Sequence, residues 1–274
     1  MELDRVDLYA YFNLERPSGA VGYLNTYVLS TYTFCPSRIR PAMIILPGGG
    51  YKYRSDRENE PIAVKFLEKG YNVFVLDYSL APVSYPTQLI EGLMAVAYVR
   101  ENAKELNVNP DMIGAIGFSA GGHLCGMLST MFNEPVVKEK LGKKAELCKL
   151  NASVLCYPVI LSGEKAHSGS MENISGFDKT LEEYLSIDKR VTKDSVPAFI
   201  WHTTQDGGVP VESSLELALA YRRAGVPFEL HLFEVGGHGL SLCSKETACV
   251  NEPVKAWIDM MFTWLTIRGF DITD

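Results

Sequence analysis

The chain lacks a long hydrophobic run: no stretch of its 274 residues is apolar for long enough to span a bilayer. Its opening, Met1-Glu2-Leu3-Asp4-Arg5, has no basic segment leading into an apolar one, as a secretory leader would. Positive charge is not in excess. Lys and Arg number 26 against 33 Asp and Glu, and the resulting −7 argues against nucleic acid or an anionic membrane surface as the main partner. The six cysteines (Cys35, Cys125, Cys148, Cys156, Cys243 and Cys249) show no CxxC spacing and no paired histidine. Several lie in apolar segments, so reduced, mostly buried thiols are expected rather than a disulfide framework or a metal site. The compartment expected from this is the cytoplasm. No repeat, low-complexity tract or polar linker divides the chain, and a single domain over residues 1–274 is expected.

What is present is a regular change of rhythm. Residues 6–34 mix alternating and aromatic patches, such as Val6-Asp7-Leu8-Tyr9 and Tyr27-Val28-Leu29, and read as one or two antiparallel strands at a sheet edge. Ala42-Met43-Ile44-Ile45-Leu46 is a short apolar run suited to a strand buried on both faces. A helix is predicted near 58–69, a strand over 72–77 and a helix over 86–105. Further strands follow at 112–118, 152–157, 197–202 and 228–233, with helices at 120–131, 212–224 and 253–267. This alternation predicts an α/β fold with a mostly parallel, twisted sheet of about eight strands and helices on both faces. In such sheets function gathers in the loops at the carboxyl ends of the strands. Residues 134–150 and 162–195 read as irregular. The second stretch is either a small cap over a site or a surface excursion.

Gly117-Phe118-Ser119-Ala120-Gly121 is a G-x-S-x-G pattern. As five letters it is common, but here a buried strand stops at Phe118 and a helix begins near Ala120. A serine on that sharp turn has its hydroxyl exposed above the sheet, beside the free N–H groups of a helix start. A hydroxyl is a poor nucleophile until a base takes its proton. Only five histidines are available. His238, in Gly236-Gly237-His238-Gly239 just after the last predicted strand, is the candidate base. His202 and His231 lie in or at the ends of strands, His167 is in the irregular stretch, and His123 is one helical turn past the serine as a neighbour of the elbow. Asp206 follows the strand ending at His202 and is the candidate carboxylate that fixes the imidazole; Asp178 and Asp188 follow no strand. The glycine run in Leu46-Pro47-Gly48-Gly49-Gly50-Tyr51 suits backbone donors for an oxyanion, with the N–H groups of Gly49, Gly50 and Ala120 assigned to that task. No Gly-Lys-Ser/Thr follows, so it is not a P-loop. Tyr51, Tyr53 and Tyr78 are placed near the site, either to meet substrate or as core residues. The charges of Ser55, Arg57, Glu58 and Glu60 read as capping and surface pairs.

Together, Pro47-Gly48-Gly49-Gly50-Tyr51, Gly117 to Leu124, Asp206-Gly207-Gly208-Val209-Pro210 and Gly237-His238-Gly239 resemble the hormone-sensitive-lipase-like esterases. The likeness is greatest to the small bacterial branch with acetylesterases and acetyl xylan esterases. It runs from about residue 40 to the end. It implies an α/β-hydrolase with little or no cap, the order Ser119, Asp206, His238, and hydrolysis of short acyl esters, often acetyl groups on sugars. One departure stands out: Pro47 fills the place of the histidine in His-Gly-Gly-Gly, which leaves open what braces the glycine loop. A prolyl-oligopeptidase-type peptidase and a non-catalytic binding protein are the rival readings. The first usually adds a gating domain, and the second typically loses a member of the triad. No metal or organic cofactor is implied. The expected partner is a small-molecule ester, an acetylated sugar among the candidates, and a homo-oligomer is left open.

Overall fold

In the computed structural model, which describes residues 1–273, the chain opens with strand β1 (Glu2–Asp7), helix α1 (Leu8–Phe12) and strand β2 (Tyr23–Val28). The predicted strand near Val6–Tyr9 is cut at Asp7, whose carboxylate accepts the Ala10 N–H and starts α1. Then come β3 (Arg40–Leu46), α2 (Glu60–Glu68), β4 (Asn72–Asp77), α3 (Thr87–Glu101), β5 (Val108–Phe118) and α4 (Ala120–Thr130). Next are α5 (Pro135–Leu141), β6 (Ala152–Cys156), α6 (Ser168–Ser175), α7 (Lys179–Tyr184), β7 (Ala198–Thr203), α8 (Glu212–Ala224) and β8 (Phe228–Phe233). The last predicted helix is two, α9 (Glu252–Lys255) and α10 (Trp257–Ile267).

The eight strands form one sheet in the order β1-β2-β4-β3-β5-β6-β7-β8. β1 and β2 are antiparallel; β4 through β8 run parallel. Each parallel strand alternates its side chains between two cores. Ala42, Ile44 and Leu46 of β3 join the core shared with α3, α4 and α8, whereas Met43 and Ile45 join the one shared with α2 and α10. That double burial is why β3 reads as an unbroken apolar run.

Residues 134–150 and 162–195 are less irregular than their sequence suggests, since they contain α5, α6 and α7. These helices are of eight residues or fewer, too short for a clear period of 3.6. Two are held by side-chain caps: His167 accepts from Ser170 N, and Asp178 from Thr180 N and Leu181 N. Among the described residues all six cysteines are free thiols, four of them buried, and no helix is long and apolar enough to cross a membrane.

Candidate active site

Ser119 sits where β5 ends and α4 begins, with φ 54° and ψ −117°. That left-handed backbone costs about 1–3 kcal/mol in a non-glycine residue and persists only where its surroundings enforce it. The enforcement is visible: Ser119 N–H donates to Cys156 O at the end of β6, and Ser119 O accepts from Val159 N and His123 N. Gly121 makes the turn possible, because a Cβ there would lie 2.0 Å from Leu46 O.

His238 and Asp206 converge on the serine from the ends of β8 and β7. His238 Nε2 is 2.8 Å from Ser119 Oγ, and His238 Nδ1 is 2.7 Å from Asp206 Oδ2. The Asp206 side chain is wholly buried. Its Oδ1 accepts from the N–H groups of Gly208 and Val209, and its Oδ2 also lies 3.1 Å from His202 Nε2. Burial pushes this carboxyl's pKa up, but the bonds from His202 and His238, the charge His238 can carry and the Val209 N–H outweigh it. The net pKa lies well below the usual carboxylate range. Asp206 is therefore a fixed anion against the imidazole.

His202, placed by the sequence in or at the end of a strand, is buried and also contributes to the site. Its Nε2 is shared between Asp206 Oδ2 and the Val209 carbonyl, and since a carbonyl only accepts, Nε2 carries the proton. Its Nδ1 then accepts from Ser214 Oγ. The other candidates lie elsewhere: Asp178 caps α7, Asp188 accepts from Ser186 Oγ, and His231 pairs with Glu229.

The glycine loop after β3 is braced from behind. Gly48 N–H donates to Glu58 Oε2 at 2.8 Å, and a Cβ on Gly48 would meet that same oxygen at 2.5 Å. Glu58 Oε1 accepts from Tyr157 OH, and the same phenol oxygen accepts from Ser241 N. The Tyr157 ring also stands edge-on to the His238 imidazole, 5.1 Å between centroids. Glu58 is thus a buried carboxylate and not a surface charge, which corrects the capping and surface-pair reading. Burial raises its pKa; the Tyr157 and Gly48 bonds, His238 and Arg57 oppose that. The one available signal was its place, within reach of a glycine loop whose usual histidine is missing.

Tyr51 and Tyr78 are corrected too. Both side chains are fully buried and neither is among the residues that line the cleft, so both take the core alternative. Tyr78 OH donates to Pro47 O at 2.5 Å. Tyr51 OH donates to His123 Nδ1, a direction fixed because His123 Nε2 donates to Leu185 O. These tyrosines, with Glu58, supply the bracing that the absent loop histidine would give. Tyr53, by contrast, is exposed in the cleft wall.

Ser119 and His238 open onto a cleft of about 1250 Å³ whose wall includes Gly49, Gly50, Arg54, Arg57, His167 and Asn173. Ala120, the first residue of α4, is buried beneath it. Its N–H belongs to the helix's unpaired first turn. Among the described residues no cluster of three His, Cys, Asp or Glu is arranged to hold a metal ion.

Comparison with known proteins bears on this geometry. The BD-FAE family model matches residues 35–221. Endo-1,4-beta-xylanase B of Butyrivibrio fibrisolvens is 36% identical over 214 residues, 76% of this chain and 33% of that protein. An acetylxylan esterase of Xylanibacter ruminicola is 31% identical over 206 residues, 72% of this chain and 40% of that one. The chain therefore spans only a third to two-fifths of the length of these curated relatives. Solved structures match along nearly their whole length. The acetyl ester-xyloside bifunctional hydrolase from Caldicellulosiruptor lactoaceticus has a TM-score of 0.86 at 36% identity, covering 98% of this chain and 97% of that one. The carboxylesterase Cest-2923 from Lactobacillus plantarum has a TM-score of 0.81 at 26% identity, with both chains fully covered. The family match takes in the glycine loop, Ser119 and Asp206, and the structural matches extend past His238: the chain belongs to the BD-FAE family, among the esterase-like α/β-hydrolases.

Proposed function

We propose that the chain is a serine carboxylesterase that removes short acyl groups, acetyl above all, with acetylated carbohydrate as its favoured substrate class. The observation that carries the reading is the unbroken line of hydrogen bonds Ser119–His238–Asp206, opening onto a cleft beside a glycine loop. In this reading Ser119 Oγ attacks the acyl carbon while His238 Nε2 takes its proton. Asp206 holds the imidazole in the required tautomer and stabilises its charged form. The N–H groups of Gly49, Gly50 and Ala120 receive the oxyanion, each worth on the order of 3 kcal/mol of barrier. His238 then returns the proton to the departing alkoxide, leaving an acyl group on Ser119. Water activated by the same imidazole releases the acid.

The substrate class draws on the acetylxylan esterase and the acetyl ester-xyloside hydrolase among the relatives, and on the polar wall of the cleft. The test is kcat/KM over p-nitrophenyl esters of two to twelve carbons, with release of acetate from acetylated xylo-oligosaccharides. A maximum at acetyl to butyryl is expected, with acetate release abolished in Ser119→Ala. A maximum at eight carbons or longer overturns the short-acyl reading, and fluorophosphonate labelling at another serine overturns the nucleophile.

A further inference from the structure

Part of the cleft wall is formed by the start of α6, with His167, Gly169 and Asn173, a part of the chain with no place in the chemistry above. This element is fixed in position. Met171 and Ile174 are buried in the core, Asn173 Nδ2 donates to Gly50 O at 2.8 Å, and Tyr85 N–H donates to Ile174 O. Ser170 Oγ lies 3.7 Å from where a Cβ on Gly50 would stand, so the helix start abuts the glycine loop itself.

His167 caps this helix and lines the cleft together with Ser119, Gly50 and His238. Its Nδ1 accepts from Ser170 N at 3.2 Å and lies 2.8 Å from Ser170 Oγ. A backbone N–H only donates, so Nδ1 holds a lone pair and the proton of the neutral ring sits on Nε2. Burial and the neighbouring His238 both push the pKa of His167 down, which keeps the ring neutral near pH 7. Nε2–H has no acceptor among the described residues. The cap therefore fixes one tautomer and leaves one N–H donor uncommitted on a residue that lines the cleft.

An acetyl ester offers that donor few acceptors. Its carbonyl oxygen is committed to the loop and elbow N–H groups, and its methyl group accepts nothing. What remains is the alcohol half. We propose that His167 is a specificity-determining residue whose Nε2–H hydrogen-bonds an oxygen of the alcohol, so that the site favours esters of polyhydroxy alcohols over esters of apolar ones. This rests on the ester-hydrolase reading of Ser119.

The experiment compares kcat/KM for mono-acetylated methyl xyloside with that for phenyl acetate, whose alcohol half has no acceptor beyond the ester oxygen. His167→Ser retains a good helix cap and loses the long-reaching donor. His167→Gln retains an N–H donor of similar reach and weakens the cap. The ratio of the two kcat/KM values is expected to fall about tenfold in His167→Ser and to stay within about threefold of the parent in His167→Gln. An unchanged ratio in His167→Ser overturns the proposal. So does an equal fall in both variants, which would make His167 a structural cap alone. The parent and Ser119→Ala are run alongside: a parent that turns over neither ester overturns the ester-hydrolase reading, a Ser119→Ala variant that still turns over both overturns Ser119 as the nucleophile, and an active parent with an inactive Ser119→Ala confines any failure to His167.

Discussion

At the residue scale the site is governed by carboxylates held in opposite ways. Asp206 is surrounded by donors and kept anionic, while Glu58 is buried behind the glycine loop with its pKa raised by that burial. Both Glu58 oxygens have fixed work, one on Gly48 N–H and one on Tyr157 OH. Removing the carboxylate leaves two buried donors without an acceptor, at about 1–3 kcal/mol each, and lets the loop carrying Gly49 and Gly50 shift. Glu58→Ala should accordingly lower kcat on p-nitrophenyl acetate at least 100-fold, and Glu58→Gln, which keeps one acceptor, roughly tenfold. Steady-state kinetics on variants with unaltered circular dichroism provide the check; a drop under threefold in Glu58→Ala would show that the loop holds its shape unaided. In the sequence the one hint was the nearness of Glu58 to a glycine loop that has Pro47 in place of a histidine; otherwise an acidic residue near a helix start reads as a cap. Tyr51 and Tyr78 went astray for a related reason. A string of letters tells which residues flank a loop, but not which side of it their rings pack on.

At the scale of elements, the strand-to-helix turn is the feature most tightly determined. Gly121 lies against the end of β3, and any side chain there would strike the Leu46 carbonyl, which is backbone and cannot swing aside. Gly121→Ala should cost about 3 kcal/mol or more, lowering the melting temperature by roughly 10 °C. Differential scanning calorimetry would measure it, and a shift under 3 °C would show that the turn can relax. This element was also the most legible. Its strand is buried on both faces and its serine falls at the break between the two periodicities, so pattern and chemistry coincide at one position. The parallel strands and long helices were readable on the same ground, with β4, α8 and β8 falling on the predicted bounds. The short helices α5, α6 and α7 were not. Side-chain caps hold α6 and α7, while buried residues such as Val137 and Leu141 hold α5 against the core, and neither leaves a period. His202 was lost in the same way: a histidine within a strand is silent about the carboxylate four residues later that turns back to meet it.

At the scale of the whole molecule, acid should act on the fold through His123 before it reaches the Asp206 carboxylate. His123 is fully buried, and that burial pushes its pKa from 6.5 down to about 4. The unfolded chain therefore takes up a proton at a pH where the folded one does not. The stability His123 contributes is complete above pH 6.5 and is lost as pH falls through 4, a change on the order of 3 kcal/mol. Asp206 contributes in a lower window, because its folded pKa lies below the usual 3.8 and its share is lost only beneath that value. Urea unfolding at pH 7, 5.5 and 4 should show the decline in the parent and a flatter trend in His123→Gln; parallel slopes would remove His123 as the cause. Tyr157 has a consequence of a different kind. Its one phenol oxygen serves Glu58 on the glycine-loop side and the Ser241 N–H three residues beyond His238. The two rims of the cleft are thus gripped like the jaws of a calliper by a single pin, and thermal agitation cannot spread one without the other. Turnover in the parent should fade over the same few degrees as its far-ultraviolet circular dichroism. In Tyr157→Phe the pin is gone, and heating should silence the enzyme well before it melts.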